Sequence, residues 1–100
     1  MPWPKSWRLL DQGRFGASPL SVAWYRLDAG QLPAEESVAA ALEALRTIVG
    51  RPEFEDLSRH PSEEQAIGQI RGTLAWASVE AGGNGDGTRV VVLLEALPGV

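Results

Sequence analysis

Apolar positions along the chain follow two rhythms, one of three and four residues and one of two. Over residues 33–49, PAEESVAAALEALRTIV, the side chains of Val38, Leu42, Leu45 and Val49 recur at spacings of four, three and four. That spacing lines them up on one stripe of an α-helix, with Ala41 and Ile48 beside it. Pro33 suits the first turn, Glu35 and Glu36 meet the positive end of the helix dipole, and Gly50 followed by Pro52 ends the run. At ~1.5 Å per residue the predicted helix is about 25 Å long, with one face to bury.

The period of two appears on either side of it. Residues 20–27, LSVAWYRL, are β-branched and aromatic; alternation puts Leu20, Val22 and Trp24 on one face and Ala23, Tyr25 and Leu27 on the other. A shorter strand is predicted over 7–11, joined through QGRFGASP, whose glycines and proline suit a turn. Residues 71–80 and 88–97 flank AGGNGDG, the clearest turn signal in the chain, and predict a second hairpin.

Between the helix and that hairpin, Pro52 with acids after it suggests one helical turn. Ser62-Glu63-Glu64-Gln65 then matches a capping box, which predicts a short helix over 63–70 despite Gly68 and Gly72. No internal repeat is visible. The expected fold is a single α+β domain over 1–100. Its order is ββα(α)ββ, a four-stranded antiparallel sheet of two hairpins with one long and one short helix on one face.

Strand 88–97 carries the inference of most consequence. Val90, Val92, Leu94 and Ala96 point one way and Val91, Leu93 and Leu97 the other, with Glu95 the polar exception. A strand apolar on both faces is normally covered on both. One long and one short helix blanket a single side of such a sheet, so something else is expected on the second. Association of sheet faces or edges, most simply as a homodimer, would supply it, with Trp24 or Tyr25, and Trp76, adding aromatic area. The alternative is that the Trp-rich N-terminus folds back over that face.

Composition narrows the function. One hundred residues suit one domain, and 44% apolar residues with four Trp can build a core. The absence of Cys removes disulfides, thiolate catalysis and Cys-ligated metal sites from consideration. No apolar run approaches the ~20 residues needed to cross a bilayer, and MPWPKSW does not resemble a signal peptide; the expected location is cytoplasmic. Eight Arg to one Lys marks a GC-rich, expectedly bacterial, genome. The net charge of −4 argues against a general nucleic-acid binder. It is unevenly spread: Lys5, Arg8, Arg14 and Arg26 against Asp11 give residues 1–27 a net of +3. Nine acids against Arg46, Arg51 and Arg59 give residues 28–64 a net of −6.

Candidate chemistry is sparse. His60 is the sole histidine, so any neutral-pH general base must use it, with Arg59 and Glu63 as neighbours that could orient it. The same stretch reads more readily as a solvated loop before a capped helix. One His with scattered carboxylates is a poor zinc supply, and no metal or cofactor is expected. Gly82-Gly83-Asn84-Gly85-Asp86-Gly87 meets the pattern of neither a calcium loop nor a phosphate loop and reads as a flexible hairpin tip. Trp3, Trp7 and Phe15 interleaved with Lys5, Arg8 and Arg14 could stack on bases, although a net of +3 is small. The acid pairs Glu35/Glu36 and Glu63/Glu64, and the cluster Glu53/Glu55/Asp56, lie at helix starts or polar faces, where the dipole is reason enough for them.

The first expectation is thus a non-catalytic interaction, regulatory or assembly domain that self-associates and binds a protein partner through Trp3, Trp7, Trp24, Tyr25 and Trp76. The second is a cofactor-free enzyme or small-molecule binder with a pocket between sheet and helices or across a dimer. Its polar groups would come from Tyr25, Arg26, Arg59, His60 and Arg71.

Overall fold

The computed structural model describes residues 2–17, 21–59 and 65–97. Among these, six strands and one helix form: β1 (Arg8–Phe15), β2 (Val22–Asp28), α1 (Ala34–Val49), β3 (Pro52–Arg59), β4 (Gln65–Gly72), β5 (Ala75–Asn84) and β6 (Gly87–Ala96). They make one antiparallel sheet in the order β1-β2-β6-β5-β4-β3. The chain crosses from β2 through α1 to the far edge, then meanders back until β6 slots in beside β2. This corrects the expected four strands and two helices.

The helix is where its periodicity places it. Pro33 is its N-cap, the Ser37 N–H donates to the Pro33 carbonyl at 2.8 Å, and Gly50 at φ 86° ends it. Val38, Ala41, Leu42, Leu45 and Val49 are fully buried on the sheet. Each Val or Leu so buried contributes about 1.5–3 kcal/mol. Arg46 pairs with Glu43 and reaches Glu55 on β3, an exposed link worth little more than ~1 kcal/mol.

The missed strands explain themselves. Pro52, Glu53, Glu55 and Asp56 resemble a helix start, yet they sit on an edge strand, where proline is tolerated and acids discourage further pairing. In β4 the alternation is strict: Ala66, Gly68, Ile70 and Gly72 are buried while Gln65, Ile67, Gln69 and Arg71 are exposed. Gly68 and Gly72 are therefore close-approach sites for the helix. A Cβ on Gly68 would stand 2.6 Å from Val38 Cγ1 and 2.9 Å from Leu42 Cδ1, and one on Gly72 would stand 2.3 Å from the Val49 carbonyl oxygen. The predicted helix over 63–70 is thus strand from Gln65 onward, and the capping serine Ser62 lies outside the described residues.

The second hairpin forms, but its first strand is Ala75–Asn84 rather than 71–80, because residues 71 and 72 end β4, and its second is Gly87–Ala96. Gly82 pairs with Arg89, Gly83 with Thr88 and Asn84 with Gly87, leaving Gly85 and Asp86 as the turn. Gly87 takes φ 117°, and a Cβ there would stand 2.9 Å from the Gly30 carbonyl oxygen. Beside it Thr88 stitches the β2–α1 connection to β6. Its N–H donates to Gly30 O at 2.8 Å, its carbonyl accepts from the Ala29 N–H at 2.9 Å, and its hydroxyl donates to Leu32 O at 2.6 Å.

Candidate interaction surface

The helix lies over β4 and β5 and reaches β3 and β6 at its flanks. On the same face, residues at the N-terminus extend the cover across β2. Trp3 and Trp7 pack against the core, and the Trp3 ring meets the Tyr25 ring edge-on at 5.7 Å. The N-terminus therefore folds back, but onto the face that carries the helix.

Among the described residues, none covers the second face. Strand register sets its rows. One runs Phe15, Val22, Glu95, Trp76, Arg71, Phe54; the next runs Gly13, Trp24, Leu93, Ser78, Gln69, Asp56; the third holds Asp11, Arg26, Val91, Glu80 and Ile67. Eight of these residues are large and apolar. Phe15 (55%), Phe54 (52%), Ile67 (42%) and Val91 (39%) are well exposed, and Val22, Trp24, Trp76 and Leu93 are half-buried. The neighbours of Val91 on the opposite face, Val90 and Val92, have no exposure at all. Trp24 is held in place by what it lies on: a Cβ on Gly13 would stand 2.7 Å from its indole, so glycine there lets the ring settle against β1.

Charge on this face is mixed. Arg26, Arg71 and Arg89 alternate with Asp11, Asp56, Glu80 and Glu95. Near one rim, Asp28 accepts from the Gly30 N–H at 2.9 Å and lies 3.2 Å from Arg89 and 3.4 Å from Arg8.

Of the five aromatic residues expected to bind a partner, Trp24 and Trp76 share the open face, whereas Trp3, Trp7 and Tyr25 belong to the covered one. The structure thus divides that set in two. Phe15, Phe54 and Ile67 were not anticipated, because they sit on strands whose extent or existence the sequence pattern concealed. The polar groups expected around a pocket are likewise dispersed. Arg26 and Arg71 project from the open face, and Tyr25 lines a cleft on the other with Gln12, Gly13, Arg14 and Ala23. His60 and Glu63 lie outside the described residues, as does the side chain of Arg59. Among the described residues no three His, Asp or Glu side chains cluster as metal ligands, and no helix is long and apolar enough to cross a membrane.

No protein-family model matches the chain, and comparison with curated proteins and with solved structures gives no match either.

Proposed function

We propose that the chain is a non-catalytic protein-interaction domain that self-associates, packing the open face of its sheet against the same face of a second copy. The observation that carries this reading is the apolar cluster of Phe15, Val22, Trp24, Leu93, Val91 and Trp76, with Phe54 and Ile67 beyond Arg71 and Glu80, on a face that no other described residue covers. Patches of more than a few hundred Å² on such a surface mark interaction sites.

Size and charge favour a second copy as the occupant. Six strands at ~4.8 Å spacing, the longest of ten residues at ~3.4 Å each, give a face about 24 Å by up to about 34 Å. That is of the order of the ~800 Å² per partner that specific interfaces bury. A pair related by a two-fold axis presents the same patch twice and must complement itself. Arginines and acids interspersed on one face meet that requirement, whereas a face of one sign would repel its copy.

The sheet edges favour the face over edge pairing. β1 carries a register shift between Leu9 and Asp11, and β3 carries Pro52 with three acids; a bulge, proline and charge all blunt an edge. Light scattering on the chain at tens of micromolar should give twice the single-chain mass. Val91→Asp should return it to one, with an unchanged circular dichroism spectrum. A single-chain mass for the unaltered protein, or a dimer indifferent to Val91→Asp, would remove the proposal.

A further inference from the structure

The covered face is not covered everywhere. At the C-terminal end of α1 a cleft of about 210 Å³ opens between the helix and the first hairpin. Ala23, Ala75, Ala96 and Leu94 belong to its floor strands, Ile48 is on the last turn of the helix, Leu74 is on the β4–β5 turn and Arg14 is on β1. The space follows from side-chain size. Alanines stand at Ala23, Ala75 and Ala96, where the same face carries Leu27, Val79 and Val92 further along the same strands and is closed. A second lobe of about 220 Å³, lined by Gln12, Gly13, Arg14, Ala23 and Tyr25, adjoins it, with Arg14 and Ala23 common to both.

Among the described residues Arg14 is the one charged group lining either lobe. Among the described residues its guanidinium donates to the Ser21 hydroxyl at 3.3 Å and meets no carboxylate. The nearest acids along the adjoining strands, Asp11 and Glu95, stand in register on the opposite face. The carbonyl of Val49, at the helix end beside the cleft, is already satisfied by the Leu74 N–H at 2.8 Å. A cation with no carboxylate partner among the described residues therefore overlooks an apolar floor, and Gln12 and Tyr25 offer further polar groups on its other side.

We propose that this cleft binds a small amphipathic monocarboxylate, its carboxylate on Arg14 and its aliphatic or aromatic body on Ala23, Ala75, Leu94 and Ala96. A planar guanidinium accepts a carboxylate through two parallel hydrogen bonds, a geometry that neither an alcohol nor an amine reproduces. Each lobe alone falls below the ~300–1,000 Å³ of drug-sized sites, so the ligand is a short one, filling one lobe or bridging both.

The proposal is independent of the docking face, which lies on the other side of the sheet, and the test keeps the two apart. Calorimetric titration of the full chain with octanoate should give saturable binding in the millimolar range or tighter, with octanol and octylamine weaker by about ten-fold or more. Arg14→Gln should abolish that preference for octanoate, Arg14→Lys should retain part of it, and Ala23→Leu should block all three probes. Val91→Asp should leave octanoate binding unchanged. Equal binding of octanoate and octanol, binding insensitive to Arg14→Gln or to Ala23→Leu, or no saturable binding by any probe would overturn it.

Discussion

The two faces of this sheet are built from the same strands by alternate residues, yet they follow different rules. Under the helix β4 offers Ala66, Gly68, Ile70 and Gly72, and β5 offers Ala75, Ala77, Val79 and Ala81, all buried. Such small residues let a helix approach closely and fit its Val and Leu stripe. On the other face β5 offers Trp76, too large for a helix to settle on closely and well suited to a broad flat contact, and β4 offers Ile67 among the polar residues Gln65, Gln69 and Arg71. The lesson is that apolarity alone does not distinguish core from interface here. Along β4 and β5 side-chain size adds to the contrast: Gly68, Gly72, Ala75, Ala77 and Ala81 leave room for α1, and Trp76 keeps its bulk on the open face.

That contrast can be broken most severely from the helix side. Leu45→Ala removes a fully buried side chain from the centre of the stripe and should cost about 2–5 kcal/mol in urea denaturation. Gly68→Val tests the volume rule itself. Its added atoms meet Val38 and Leu42, and a loss of about 1–3 kcal/mol is expected from overpacking, although valine is the better strand former. The opposite outcome, a stabilised protein, would show that the helix does not rest on β4 as described. On the open face, one residue away, Ile67→Thr should change the stability of the separate chain by no more than about 0.5 kcal/mol. Measured below the concentration at which copies associate, a loss comparable to that of Leu45→Ala would mean that this face is covered within a single chain.

The same contrast explains what the residue pattern revealed and what it hid. The helix was legible because Val38, Leu42, Leu45 and Val49 repeat over about three turns, and β6 because five consecutive apolar residues follow Arg89. β3 and β4 were not, for a physical reason. Proline followed by acids protects a strand edge with the residues that also begin a helix, so Pro52 to Asp56 satisfied the wrong template. Gly68 and Gly72 weaken a helix and a strand alike, and their purpose depends on Val38 and Val49, which are distant in sequence. With two strands unrecognised, the open face could be inferred from β6 but not mapped: Trp24 and Trp76 were placed among candidates, Phe54 and Ile67 were not. Trp3 and Trp7 misled in the other direction. An aromatic N-terminus can cover either face, and the ring of Tyr25, on the helix side, is where Trp3 lands.

Strand order adds a consequence in time. Among the described residues the first hairpin and the β3–β5 meander share no ladder with each other; both are joined by β6, the last of the described elements along the chain. A nascent chain lacking residues beyond 86 holds two ribbons with nothing to zip them together. Pairing across more than sixty positions must then wait for β6, and closure of so distant a contact makes folding slow.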